Sequence, residues 1–403
     1  MSMTEPHSAS VTAEVVPNTP PPLLFAILAV AVGALVANLY YAQPLIALIA
    51  PEIGIRPDLA GILVSVTQIG YAIGLFFLVS LADLIENKRL VLIALGGTVL
   101  ALASVALSSS AVPFLIASFA IGIFSTGAQV LVPFAAQLVP LARRGRVVGN
   151  VMAGLLTGIL LARPLSLFIS AGFGWRSVFW SSAVLMLGIA ALLWRMMPTY
   201  QPKSGLSYGK ILKSMVGLVR DTPVLRRRAT YQALMFAAFN MFWTTAPLML
   251  AQRFGLGQQG IALFALAGVG GALAAPLAGR LADRGLIRVA TGSAMAMMTL
   301  AFLATGWAAA AGALIVLAIL GIILDAAVQV NQVTSQRVIF ALAGEIRGRL
   351  NAIYMTTTFF GGAIGSILGT TTYHWGGWGA TAIAGALIGG LALAVFATEL
   401  RRS

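Results

Sequence analysis

The chain has 403 residues, of which 59% are hydrophobic and 9% charged, and it carries a formal charge of +14 with no cysteine. Such an apolar share exceeds what a soluble core needs and is that of a polytopic membrane protein. The lack of thiols excludes disulfides, iron–sulfur clusters, Cys-type zinc sites and thiol catalysis, and with His7 and His374 as the only histidines no metal site, triad or cofactor is expected.

Residues 1–21 are rich in Ser, Thr and Pro and lack Lys and Arg, which predicts a disordered cytoplasmic tail and not a signal peptide. Apolar runs then recur at about 22–50, 59–82, 90–109, 112–138, 146–171, 177–198, 229–251, 260–282, 288–311, 313–338, 349–373 and 379–398. Each supplies the roughly 20 residues that a membrane helix requires, giving twelve spans with both termini on one side. The spans divide six and six, as bundles 22–198 and 229–398, around a connection at 199–228, with a short tail at 399–403. Within the connection, Leu212, Met215, Val216 and Val219 share one helical face, so it is either an interfacial helix or a solvated linker.

In a soluble protein the positive charge would suggest nucleic acid, but here its distribution reads as topology. Of the 25 Lys and Arg, only Arg56, Arg176 and Arg253 lie in odd-numbered connections and only Arg163 lies inside a span, which leaves 21 at even-numbered connections and the C-terminus. That asymmetry predicts cytoplasmic termini.

The two halves echo one another. Asn38-Leu39-Tyr40-Tyr41 before Pro44 parallels Asn240-Met241-Phe242-Trp243 before Pro247, and Leu81-Ala82-Asp83 parallels Leu281-Ala282-Asp283. Arg144-Gly145-Arg146 parallels Arg347-Gly348-Arg349, and Gly174-Trp175 parallels Gly377-Trp378. Four matches in one order and at nearly one offset indicate parallel repeats related by an axis along the membrane normal, a geometry that can rock about a central site.

With basic residues after its Leu-Ala-Asp motifs and a six-plus-six layout, the chain from about residue 22 onward resembles the major facilitator superfamily. The Asn-Leu-Tyr-Tyr-Ala-Gln-Pro run, Gln129 to Pro133, and Arg144 to Gly149 leading to Arg163 are similar to bacterial drug, sugar or nucleoside exporters of that superfamily. The first loop motif departs from the family pattern at Val79 and Leu84, and span 5 carries Gly154 and Gly158 but lacks the Gly-Pro pair of the antiporter motif. The resemblance implies an all-α fold of two six-helix bundles in a bacterial inner membrane. It also implies a small-molecule substrate, a monomer and coupling to protons.

Subtracting acids in tails, loops and helix ends leaves Asp325, in span 10, as the embedded carboxylate. Intramembrane acids are costly, so Asp325 is a candidate proton carrier, a structural Asp bonded to a neighbouring helix being the alternative. Arg163 in span 5 is expected to pair with Asp325 in one state and release it on protonation; a static pair, or an Arg that reaches the outer headgroups, is the alternative. With the cavity assigned by resemblance to spans 1, 4, 7 and 10, its candidate lining is Asn38, Tyr41 and Gln43; Thr126 and Gln129; Asn240, Trp243 and Thr244; and Gln329 and Gln332. Amides and aromatics with little charge suit a neutral or weakly cationic solute. For each residue singly, hydrogen bonding between helices is the alternative. Asp83 and Asp283 are expected in gates, with Lys88, Arg89, Arg144, Arg146, Arg284, Arg347 and Arg349 as candidate partners, although these cations also set topology. Gly361, Gly365 and Gly369 are expected to allow close helix packing. The favoured function is proton-coupled export, the alternatives being a proton-coupled importer or uniporter and a transporter-like sensor. No P-loop or nucleophile–base pair supports an enzyme.

Overall fold

The computed structural model describes residues 21–201, 207–272, 274–342 and 346–400, and among these it holds helices and turns and no strand. Residues 1–20 of the tail expected at 1–21, and residues 401–403, lie outside the described residues.

Nine continuous helices among the described residues are long and apolar enough to cross a bilayer. Twelve spans are nonetheless present: spans 1 and 8 consist of shorter helices, and spans 11 and 12 follow one another across a glycine corner. Span 1 runs from Pro22 to Ala37, passes through a turn, and resumes as Ile46–Glu52. Pro44 has no N–H to offer the carbonyl one turn back, so the ladder opens before it. The chain there is held by tighter bonds, Tyr40 N–H to the Ala37 carbonyl at 3.0 Å and Gln43 N–H to the Tyr40 carbonyl at 3.3 Å. Span 8 is likewise interrupted, by a turn at Ala267 after Gln258–Leu266, and span 4 has a turn at Thr126 between Ala111–Ser125 and Gly127–Gln137. Spans 11 and 12, within Arg347–Leu400, are two helices that meet at Gly376 and Gly377, whose backbone leaves helical geometry, Gly377 at φ +61°. Gly174, between spans 5 and 6, makes the matching corner at φ +79°, so the repeat read from Gly-Trp is a repeat of backbone conformation.

Small residues set how closely the spans cross. A Cβ on Gly158 would lie 2.1 Å from the Gly33 carbonyl oxygen, which locks span 5 on span 1; a Cβ on Gly365 would lie 2.0 Å from that of Ala237, which locks span 11 on span 7. Gly361 and Gly369 face span 7 as well, as their spacing predicts. Outside, large apolar side chains such as Leu100, Leu107, Ile315 and Leu387 are exposed on helices that cross the membrane, where lipid is their solvent.

The connection holds a helix, Tyr208–Asp221, and span 7 begins at Pro223. Its buried residues are Ile211 and Met215, packed among Ile339, Leu350, Ile353 and Tyr354, whereas Val216 and Val219 are exposed. The helix therefore docks on protein through a face rotated from the one expected. Its bonds reach both halves: the Tyr208 hydroxyl donates to the Phe77 carbonyl, and Arg349 donates to the Ser214 hydroxyl. Glu399, assigned to the C-terminal tail, ends the helix of span 12 and accepts hydrogen bonds from Tyr231 and Arg228.

Candidate functional site

Between the halves lies a cavity of about 340 Å³. Its walls run from Tyr40, Arg163 and Asp325 in the middle of the bundles to Val148, Gln336, Phe340 and Asn351 at the ends that carry the basic connections. The cavity thus reaches the basic face. Towards the opposite face spans 2 and 11 close together: Gly61 N–H donates to Thr370 Oγ1 at 3.1 Å, Ser65 Oγ donates to the Ala363 carbonyl at 2.6 Å, and Thr370 Oγ1 donates to the Asp58 carbonyl at 3.2 Å.

At the closed end, Arg163 is 3% exposed and its guanidinium carbon sits 4.7 Å from the centre of the Trp243 ring, 5.1 Å from Tyr40 and 5.2 Å from Phe239. Three π faces offset part of the cost of burying the charge. Its Nε donates to Gln43 Oε1 at 2.9 Å, while Nη2 is buried without a partner among the described residues. Beneath the same ring, Trp243 Nε1 donates to Asp325 Oδ1 at 2.7 Å. Trp243 therefore faces the cation with its ring and the carboxylate with its N–H. No Arg163–Asp325 ion pair within 4.0 Å occurs among the described residues, so the direct pair expected from sequence is replaced here by an arrangement through the indole.

Gln43 carries the contact onward. Its Nε2 donates to Thr244 Oγ1 at 3.0 Å and to Asn240 Oδ1 at 3.3 Å, and the same Asn240 oxygen accepts from Gln68 Nε2 at 2.6 Å. Thr244 donates in turn to Ser366. Spans 1, 2 and 5 are thereby tied to spans 7 and 11 by neutral amides and hydroxyls, buried bonds that are costly to leave unmade.

A sequence model of the Major Facilitator Superfamily matches residues 25–339. The chain is 38% identical to an uncharacterized transporter, YgaY, of Escherichia coli O157:H7, over 91% of this chain and 93% of that one. It belongs to the Major Facilitator Superfamily. A chloramphenicol resistance protein of Streptomyces lividans is 28% identical over 65% of this chain and 67% of its own. A crystal structure of the nucleoside transporter NupG shares the fold at a TM-score of 0.75 and 12% identity, with 93% of this chain and 99% of that one covered. The protein is therefore a multi-pass membrane transporter, with the two six-helix bundles of that superfamily.

Within this facilitator the residues singled out from sequence separate into groups. Arg163, Asp325, Gln129, Gln329 and Gln332 line the cavity. Gln43, Asn240 and Thr244 lie in the inter-half network, and Trp243 stands between Arg163 and Asp325. Three others do not face the cavity. Asn38 accepts from Ser182 of span 6, Thr126 donates to its own helix at Ile123, and Tyr41 borders a groove beside Gly154 and Gly158. The break after Ala37 turns Tyr40, and not Tyr41, towards the centre, and an ideal helix through that stretch hides this. Tyr71, which accepts from Gln129 at 3.1 Å, and Asn351, which accepts from Gln336 at 3.4 Å, also line the cavity from spans 2 and 11. Assignment of the wall to spans 1, 4, 7 and 10 alone overlooked both.

The gate candidates lie at the basic face and are apart in this conformation. Asp283 Oδ1 accepts from Arg337 at 2.9 Å, within its own half, and not from Arg349 or Arg146. Asp83, Arg89, Arg146 and Arg284 are exposed, and Lys88 and Arg89 border a surface hollow with Glu86 and Trp194. Arg144 and Arg347, one in each half, donate back to the Val139 and Phe340 carbonyls at the ends of the preceding spans, where cations favour the helix dipole.

Proposed function

We propose that this transporter is a proton-coupled exporter of a small neutral or weakly cationic organic solute, working by alternating access in a bacterial inner membrane. On this reading both termini and the basic face are cytoplasmic, and the conformation described is the one that loads from the cytoplasm. The observation that carries the proposal is Asp325, a buried carboxylate at the closed end of a cavity open to the basic face, held by Trp243 against the cation that also grips the inter-half network.

Proton transfer to or from Asp325 changes the charge beside Trp243 and Arg163. Loss of the proton attracts Arg163, and an Arg163 drawn away from Gln43 loosens the bonds of Gln43 to Asn240 and Thr244, which help to close the external side. Substrate bound from the cytoplasm competes for the same groups, which gives exchange of solute against protons. The chloramphenicol resistance relative, similar over two thirds of its length, supports export of a drug-like solute. Neighbouring glutamines and aromatic side chains suit such a solute by hydrogen bonding and stacking.

The test is transport in proteoliposomes under an imposed pH gradient. Export by proton exchange predicts that the gradient drives solute uphill, and that Asp325→Asn abolishes uphill movement while solute–solute exchange persists. Uphill movement that survives in Asp325→Asn would sink the assignment of the proton to this residue.

A further inference from the structure

Arg163 has more hydrogen-bonding capacity than the protein uses. Of the five N–H groups of its fixed fork, the Nε one is taken by Gln43, and Nη2 is buried without a partner among the described residues. The three rings packed about the guanidinium offset its charge but do not accept N–H bonds as an oxygen does. Gln43 offers Oε1 alone as an acceptor, and that oxygen already takes the Nε bond; its amide nitrogen is a donor, given to Asn240 and Thr244. Asp325 already accepts from Trp243, and its other oxygen lies beside span 8, where a Cβ on Gly268 would be 2.8 Å away. A desolvated guanidinium with unused donors at the wall of a 340 Å³ cavity is a site built for an incoming acceptor.

The remaining wall says what carries that acceptor. Tyr40 and Phe239 place aromatic surface next to the guanidinium, and Phe236, stacked on Phe239 with centroids 5.4 Å apart, and Phe359 add aromatic surface to the cavity wall. Gln129, Gln329 and Gln332 stand further towards the basic end. A ligand that fills this space is flat and apolar over most of its length, polar at the end nearest the mouth, and oxygen-terminated at the deep end.

We infer that Arg163 is the substrate-anchoring residue and that the transported solute presents a carbonyl-type oxygen, of an amide or a carboxylate, to its guanidinium, with an aromatic body laid against Tyr40 and Phe239. This rests on the transport reading of the cavity and revises its solute class from neutral or weakly cationic to neutral or anionic at the deep end: a cationic group there is disfavoured by the charge of Arg163, whereas an amide or a carboxylate is accepted.

Binding of a matched set to the purified full-length protein in lipid nanodiscs tests it: 2-naphthamide, 2-naphthoate and 2-naphthylmethylammonium, which share one ring system and differ in the head group. Calorimetric titration of the unaltered protein is expected to give at least tenfold tighter binding of the amide and the carboxylate than of the ammonium. Arg163→Gln should erase that ratio. Equal or tighter binding of the ammonium, or no saturable binding of either oxygen-bearing probe, overturns the inference without recourse to any variant. A tenfold preference that persists in Arg163→Gln overturns it too. The outcome separates from that of proton coupling: the head-group ratio is read without a pH gradient, so it can hold where gradient-driven transport by Asp325 fails, and the reverse.

Discussion

The crossing of spans 2 and 4 and the crossing of spans 8 and 10 are the same joint in the two halves, and they differ in what fills them. Residues 203 apart correspond in this region, as Arg144 does to Arg347 and Gly174 to Gly377, so the counterpart of Asp325 is Gly122. In the first joint the helices touch through backbone: a Cβ on Gly122 would lie 2.1 Å from the Thr67 carbonyl oxygen, and one on Gly70 would lie 2.2 Å from that of Phe119. In the second joint the glycines remain on one side only. Gly268 and Gly271 of span 8 face Asp325, and a Cβ on Gly271 would lie 2.2 Å from the Asp325 Cβ. Span 8 is interrupted by a turn at Ala267, as span 4 is at Thr126, so the two joints differ in side chain and packing and not in helix continuity. One repeat thus keeps a tight structural seam, and the other has given up glycine on one side of the crossing to house a carboxylate. The asymmetry extends to Arg163, whose counterpart is Ser366: Arg163 of the first half and Asp325 of the second lie at different positions of the repeat, and the two meet at Trp243.

Making the second joint like the first should have the largest effect. Asp325→Gly is expected to reduce gradient-driven solute accumulation to background while leaving the thermal melting temperature near that of the unaltered protein, because a costly buried acid is removed. A protein that still accumulates solute would show that the joints are functionally alike. Next is the reverse experiment on packing: Gly122→Ala places a methyl against backbone that cannot yield, and should destabilise the protein by about 1–3 kcal/mol, read as a lowered melting temperature in detergent. Unchanged stability would mean that the first joint is loose.

Trp243→Phe keeps a ring over Arg163 but deletes the N–H given to Asp325. About tenfold slower coupled transport is expected, from about 1.5 kcal/mol for one hydrogen bond to a charged group. Asn240→Leu removes the acceptor shared by Gln43 and Gln68 and should open the seal at the face opposite the basic one. Because the chain has no cysteine, a single one at Ala47, beside a hollow on that face, reports this cleanly as severalfold faster labelling by a water-soluble maleimide in detergent. Labelling no faster than in the parent would assign the seal to the span 2 and span 11 contacts alone.

The smallest effect is expected at Glu52, at the end of span 1 away from the basic face. Trp175 Nε1, donating at 2.6 Å, and then the Arg176 guanidinium hold the Glu52 carboxyl below the usual carboxylate range. A carboxyl whose folded pKa is lowered stabilises the fold above its unfolded pKa, and that contribution disappears as pH falls through the folded value. Glu52→Gln should therefore lower the melting temperature slightly at neutral pH and not at all in strong acid. An equal deficit at both pH values would mean that packing, and not charge, is what Glu52 supplies.

Much of this was legible in the residues. Membrane spans announce themselves because every apolar side chain that faces lipid must be apolar, and the internal repeat survives in Gly-Trp and Arg-Gly-Arg because corners and caps tolerate few alternatives. Asp325 and Arg163 stood out for the same reason, since ionised groups are rare in oil. The cavity wall was harder to read. The register of Tyr40 against Tyr41 depends on a break just before Pro44, and the exchange of Asn240 and Thr244 from wall to latch depends on where Gln43 and Gln68 arrive from the other half.

Chain composition and order therefore set the fold class, the number of spans, the symmetry of the halves and the identity of the two interior charges, because bilayer solvation acts on each helix separately. Tertiary structure alone decided which polar groups face the cavity, which bind the halves together, and that Trp243 stands between Arg163 and Asp325. Those outcomes depend on helix rotation and on contacts between residues 82 to 201 positions apart, which no local pattern encodes.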